Sequence, residues 1–234
     1  MIALDALYRE ILKVPLFRDA QSTCRGSYGE YFVKLCRSRE KRFLLRNEAR
    51  IAERFSRYDF CPPLVGFGDF DDASCLVYRR VPGISVRNII FMTKRIISLV
   101  SNTLERVNET LAKERICQLD PSPNNIIIDS GQGRVWYVDY ELCAPFGTEA
   151  EITDSFGLRT DEERQTLRQA FQEAGCHYKP PHIAEYGDEY NRYMSALMII
   201  NLERRRHIAG FLEFLRFRTE QYWQRAKQRM GRPS

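Results

Sequence analysis

The sequence lacks most of what marks a secreted, metal-stapled or membrane-spanning chain. Its seven cysteines include no CxxC pair. Without such spacing, and with no secretory apolar segment ahead of them, they read as buried free thiols in a reducing cytoplasm rather than disulfides or zinc ligands. No stretch approaches the roughly 18 apolar residues that a membrane span needs, and the opening MIALDALYREILKV is interrupted by Asp5, Arg9 and Glu10. There is no internal repeat and no low-complexity tract, so solenoid and disordered-linker readings are set aside.

What is present is an ordinary globular composition of 234 residues, enough for one large domain or two small lobes around a shared cleft. The net charge of +5 is unevenly placed: from Asn201 onward there are nine basic residues against three acidic ones. Such a run reads either as a solvated helix face or as a surface for an acidic partner such as a phosphate-bearing substrate, an anionic lipid or a nucleic acid. No nucleic-acid-reading module accompanies it, which makes nucleic acid the lesser reading. The expectation is a cytoplasmic protein, with peripheral membrane contact through the basic C-terminal helices left open.

Along the chain, residues 1–14 are expected to be helical and to stop at Pro15. Leu16–Cys24 and Glu30–Cys36 read as strands joined through RGSYG, the second alternating Tyr31, Val33, Leu35 with Phe32, Lys34, Cys36. A helical stripe from about Lys41 to Arg57 carries Glu48 beside it, and CPPLVGFGDF and ASCLVYRRV read as two more strands. The character changes at Pro82-Gly83. Thr93–Glu114 is amphipathic, NIIID and RVWYVDYEL around SGQG read as a hairpin, and Glu162–Ala174 and most of Glu189–Met230 read as helices, with Gly175 and Gly210 as breaks. A strand-rich N-lobe over 1–82 followed by a helical C-lobe over 83–234 is the expected organisation, an α+β class.

Four polar positions lie where packing alone favours something else. Lys34 sits mid-strand among apolar residues, where an ammonium is either on an exposed strand face or paired with a charge. Glu48 on the following helix is a candidate partner, as in kinases, where a strand lysine holds nucleotide phosphates and a helix glutamate orients it. Asp120 and Asn125 form a D-x-x-x-x-N spacing, either a turn whose side chains bond local backbone or the catalytic-loop pattern of an acceptor-orienting carboxylate and a metal-binding amide. Asp139 follows VWYV at a strand end, where a hard oxygen ligand for magnesium would be expected. Their order along the chain is more specific than any one of them.

QLDPSPNNIIID and GRVWYVDYE resemble the H-x-D-x-x-x-x-N-I-L and LWLIDWE segments of the kinase-like superfamily, which includes aminoglycoside phosphotransferases, choline and thiamine kinases and compact lipopolysaccharide-core sugar kinases. LVYRRVPG similarly resembles its hinge LVTRFIPG, and the resemblance spans about residues 16–155. It implies a bilobal protein-kinase-like fold and an enzyme using ATP and Mg2+. It also implies Asp120 as catalytic residue, Asn125 and Asp139 as metal ligands, Lys34 with Glu48 as the phosphate-anchoring pair, and backbone groups around Arg79 to Val81 facing adenine. Glu151 falls where the family begins a structural helix. The chain departs from the pattern at Gln118, Leu119 and Asn124, and VPLFRDAQSTC ahead of Lys34 has no glycine with which to build a phosphate lid; Gly26 and Gly29 are expected to form the turn. The segment between Gly83 and Asp120 is short, implying an open acceptor site for a small molecule or glycolipid. Tyr140 and Glu141 are candidates to touch a cationic acceptor. The alternatives are a pseudokinase acting as a binding or regulatory scaffold and, more weakly, a protein kinase, since no A-P-E-like segment end follows Asp139.

Overall fold

The computed structural model describes residues 4–147, 149–158, 160–173 and 187–206, together with Arg216 and Thr219. Two short helices, α1 (Leu4–Ile11) and α2 (Pro15–Arg18), come first. Pro15 therefore does not simply end a helix; it occupies the first position of the next one, where its missing N–H is no loss. The strand expected from Leu16 begins only at Thr23. β1 (Thr23–Tyr28) contains Arg25, Gly26, Ser27 and Tyr28, and the reversal into β2 (Tyr31–Cys36) is made by Gly29 and Glu30 alone. Gly29 carries the φ of +55° that the reversal requires.

After α3 (Arg42–Phe55), β3 (Leu64–Asp69) and β4 (Ser74–Arg79) complete an antiparallel sheet of order β1-β2-β4-β3. Period-2 alternation divides its side chains. Val33, Leu35, Cys75 and Val77 face Leu7, Ile11 and Phe17 of the first two helices. Cys36, Leu76 and Tyr78 instead join Leu45, Ile51, Ala52 and Phe55 of α3. Lys34 shares that second parity, which turns its ammonium toward α3 rather than toward water.

The rest of the described chain is mostly helical. β5 (Ile84–Ser85) leads through the 3-10 turn Val86–Asn88 to α4 (Lys94–Glu114), capped by the Thr93 hydroxyl on the Ile96 N–H. β6 (Ile116–Gln118), β7 (Ile126–Asp129), β8 (Arg134–Tyr137) and β9 (Cys143–Pro145) follow, then α5 (Glu149–Ser155), α6 (Asp161–Glu173) and α7 (Gly187–Arg204). β7 and β8 form the hairpin expected around SGQG, and β5 adds to its edge. Gly83 permits that addition: its φ is +117°, and a Cβ there would lie 2.4 Å from the Ile128 carbonyl oxygen.

The α+β class read from the sequence is thus observed, as a sheet-rich part and a helical part. Gly175, Gly210 and the expected helical stretch beyond Arg206 lie outside the described residues, Arg216 and Thr219 excepted. No helix among the described residues is long and apolar enough to cross a membrane.

Candidate active site

Two antiparallel pairings place the polar loops. β6 pairs with β9, matching Gln118 with Cys143, and the Leu119 N–H continues the pairing to the Leu142 carbonyl at 3.0 Å. β7 pairs with β8, matching Ile126 with Tyr137, and the Val138 N–H continues that one to Asn125 at 2.8 Å. Asp120 and Asp139 therefore both emerge just past the end of a paired strand, on rigid mounts. Asn191 of α7 locks β6 from below, accepting from the Gln118 N–H at 3.0 Å and donating to the Ile116 carbonyl at 2.9 Å.

The centre of the site is an ammonium between two carboxylates. Lys34 Nζ donates to Glu48 Oε2 and to Asp139 Oδ1, both at 2.6 Å. Glu48 is fully buried (0% exposed) and Lys34 nearly so (7%); the Tyr78 hydroxyl donates to the other Glu48 oxygen at 3.1 Å. Burial alone would push the Lys34 ammonium down, but Glu48 and Asp139 outweigh it and hold its pKa above the ordinary lysine range. Burial likewise works against the Asp139 carboxylate, and here Lys34, then Arg25, outweigh it and keep its pKa below the usual aspartate value. A third carboxylate, Glu141, joins this cluster with its oxygen within 4.8 Å of the others. One ammonium does not neutralise three carboxylates; burial first, and the Asp139 charge second, push Glu141 up to about 7.

Asp139 adopts φ +71°, a left-handed conformation that aspartate tolerates better than most residues. It is held there on both sides. Gln118 Nε2 donates to the Asp139 carbonyl at 3.0 Å, while Gln118 Oε1 faces the Asp120 N–H at 3.5 Å. Gln118 thus bridges the two loops itself. On the α3 side, Asn47 Nδ2 donates to the carbonyls of Glu141 (3.0 Å) and Cys143 (2.8 Å), which fixes the helix that carries Glu48 against the loop that carries Asp139.

Asn125 Nδ2 donates to the Asp120 carbonyl at 2.8 Å. That bond orients the amide, leaving Asn125 Oδ1 as the end free to act as a ligand. Asp120 is half-buried, and burial, followed by the Asp139 charge, raises its pKa above the ordinary aspartate value.

Two cavities are lined in part by this cluster. The larger, about 480 Å³, is lined by Arg25, Lys34, Tyr78, Val81, Asn125 and Asp139 among others. The smaller, about 360 Å³, is lined by Asp120, Glu141, Lys41, Thr23, Thr166 and Gln169. The first volume is within the range of small-molecule sites. At the hinge, the N–H groups of Arg79 and Arg80 are engaged by the Pro63 and Glu30 carbonyls, each at 2.8 Å. Val81 lines the cavity, and its N–H has no backbone partner among the described residues.

Lys34, Glu48, Arg79, Val81, Asn125 and Asp139 line the larger cavity, and Asp120 and Glu141 the smaller; Tyr140 borders the larger one too, but its side chain is turned inward. Tyr140 is 1% exposed, and its hydroxyl donates to the Tyr137 carbonyl at 2.6 Å; it packs edge-on against Phe55 and cannot reach an acceptor. Arg25 was missed. Its guanidinium reaches Asp139 Oδ2 at 3.5 Å from across the sheet, because β1 pairs it with Lys34. Placing the turn at Gly29–Glu30 would have revealed it, since counting outward from Tyr28 and Tyr31 matches Arg25 with Lys34.

The donor set fits a hard divalent cation: the carboxylates of Glu48, Asp139 and Glu141 offer oxygens within 4.8 Å of one another, and the Asn125 amide lines the same cavity as Asp139. No family model matches the chain, and no curated protein does. Among solved structures it is similar to the bifunctional kinase-methyltransferase WbdD, at 14% identity and a TM-score of 0.46 over 76% of this chain and 47% of WbdD. It is also similar to the Cydia pomonella Granulovirus kinase PK-1, at 16% identity and a TM-score of 0.43 over 62% of this chain and 61% of that one. The chain spans about half the length of WbdD, and at these identities the likeness is one of fold.

Proposed function

We propose that the chain is a magnesium- and ATP-dependent phosphotransferase acting on a hydroxyl of a small molecule or lipid-linked sugar. The observation that carries this reading is the Lys34 ammonium held between Glu48 and Asp139 on the wall of a cavity that contains Asn125, with a second cavity lined by Asp120 and by Glu141 of the same carboxylate cluster. Donor and acceptor would then approach from opposite sides of the two aspartates.

Lys34 and Arg25 would bind the phosphates of ATP in the larger cavity, with the Val81 N–H facing the adenine. Magnesium, held by Asn125 and Asp139, would supply charge neutralisation to the transferring phosphoryl group. Asp120 would orient the acceptor hydroxyl from the smaller cavity and take its proton. The hydroxyl oxygen then bonds to the terminal phosphorus as the bond to the bridging oxygen breaks and ADP leaves. Positioning and electrostatics would supply most of the rate. Lys41, Thr166 and Gln169 give the acceptor cavity polar walls suited to a hydroxylated ligand.

One observation favours a second reading, a scaffold that has given up catalysis. The described residues before β1 form α1, α2 and the turns that join them, with no glycine among them, so they build no glycine-rich lid whose backbone N–H groups could cover the phosphates from that side. Arg25 supplies a cation at the same mouth, which is why the enzyme reading is preferred.

Thermal unfolding separates the two. ATP with magnesium at ~100 times its Kd should stabilise the protein by roughly 2.7 kcal/mol, and Asp139→Ala should abolish the shift. Wild type showing no shift would favour the scaffold. Where the shift appears, phosphoryl transfer to panels of sugars, amino alcohols and lipid extracts follows, and turnover surviving Asp120→Ala would remove Asp120 from the catalytic role.

A further inference from the structure

We infer that the segment between β5 and α4 is a membrane-docking element that inserts Ile90 and Phe91 into an anionic lipid surface. From Ala73 to Leu104 the chain contains no Asp or Glu, while Arg79, Arg80, Arg87, Lys94 and Arg95 fall within it. Ile90 and Phe91 are each 55% exposed at its tip.

Their exposure is built in. Val86, Ile89 and Met92 on either side are buried in the core, so the tip has no inward site left to occupy. The Arg205 guanidinium at the end of α7 donates to the carbonyls of Val86 and Ile89, clamping the base of the loop from beneath. An isoleucine and a phenylalanine presented on a fixed turn between cations have the chemistry of an interfacial anchor: apolar side chains enter the acyl boundary while ammonium and guanidinium groups remain at the headgroups.

Lys94 and Arg95 make the charge argument specific. Both are exposed in the first turn of α4, which contains no acidic residue. A helix N-terminus carries positive partial charge, so two cations there oppose the helix they begin. Folding stability gains nothing from them, whereas a negative surface would attract both them and the helix end. Arg79 pairs with Glu30, whereas Lys94 and Arg95, nearest the apolar tip, form no ion pair among the described residues; two such cations beside Ile90 and Phe91 favour a uniformly anionic partner over a mixed-charge protein surface or a second copy. Ser85, Arg87 and Asn88 also line the larger cavity, so lipid would lie beside its mouth. The inference does not depend on phosphotransferase activity.

The test is co-sedimentation of the full chain with vesicles of phosphatidylcholine alone and of phosphatidylcholine with phosphatidylglycerol in equal parts. Binding is expected to the anionic vesicles only and to weaken as salt is raised. Ile90→Ser/Phe91→Ser and, separately, Lys94→Gln/Arg95→Gln should each weaken it about tenfold or more, with unchanged thermal melts showing that these surface variants fold. Three outcomes overturn the inference. The first is no pelleting with either vesicle. The second is binding that survives both variants but disappears in Arg225→Gln/Lys227→Gln/Arg229→Gln, which would assign it to the basic tail. The third is a concentration-dependent dimer dissolved by Ile90→Ser/Phe91→Ser, which would assign the patch to a second copy.

Discussion

Arg25 shows how much a single register decides. It is two-thirds exposed yet reaches Asp139, so in the free protein its ion pair contributes little stability. A triphosphate in the larger cavity would give the same guanidinium a more highly charged partner. Arg25→Ala is therefore expected to raise KM for ATP roughly three- to tenfold while changing kcat less, measured by initial rates at varied ATP. Asp120 makes a prediction about pH. Burial and the Asp139 charge raise its pKa, and the role proposed for it needs the carboxylate. Activity should therefore be present above that raised pKa and lost as pH falls through it, the acid limb lying above the ordinary aspartate range. A limb that persists in the residual activity of Asp120→Asn would have to be reassigned to another group.

At the scale of elements, the contacts that hold α3 in place differ in kind. Arg54 and Arg57, near the end of α3, both pair with Glu114 at the end of α4, and both arginines are largely exposed. Asn47, one turn from Arg50 and beside Glu48, is buried and supplies two loop carbonyls with their donor. Glu114→Gln should cost less than about 1 kcal/mol. Asn47→Ala should cost about 1–3 kcal/mol, because it strands two carbonyls, and should lower kcat as well, since it frees the Asp139 loop from the helix that bears Glu48. Urea midpoints at unchanged m-value measure the first effect and single-turnover rates the second.

The same contrast explains what was legible in the sequence. α3, α4 and the β7–β8 hairpin announce themselves by period, because each buries one stripe or one face. The pairing of Lys34 with Glu48 could be anticipated from their order along the chain, whereas the direct contact of Lys34 with Asp139 could not. The region from Pro15 to Gly29 was misread, since PLFR is too short for a helical period to show and TCRGSY alternates half-buried with exposed residues across an open edge. Gln118 as a bridge and Asn47 and Asn191 as clamps were also invisible: a buried amide has no periodic signature, and its partners are backbone atoms remote in sequence.

At the scale of the whole molecule, the division into a sheet-rich and a helical part holds for the core on the α1–α2 face of the sheet but not for the core on its α3 face. Leu45, Ile51 and Phe55 of α3 and Leu76 and Tyr78 of β4 belong to one continuous cluster with Val100, Leu104 and Val107 of α4, Ile126 and Ile128 of β7, and Met198 and Leu202 of α7. Phe55 sits at its centre, edge-on to Tyr58, Phe60 and Tyr140, and Tyr140 directly follows Asp139. The inner face of the sheet therefore has no core of its own to retain once the helical part opens. Unfolding should then be a single cooperative transition rather than two. The reporter can be local: Trp136 lies on β8 in the helical part, and with Trp223→Phe as background its fluorescence follows that part alone, while far-UV circular dichroism follows the whole chain. The two urea curves should coincide, and Phe55→Ala should shift both together by about 3–5 kcal/mol. If the fluorescence curve separates from the dichroism curve, or only one of them moves in Phe55→Ala, the two parts hold independent cores and the rigid mounting of Lys34 against Asp139 would have to come from the polar clamps alone.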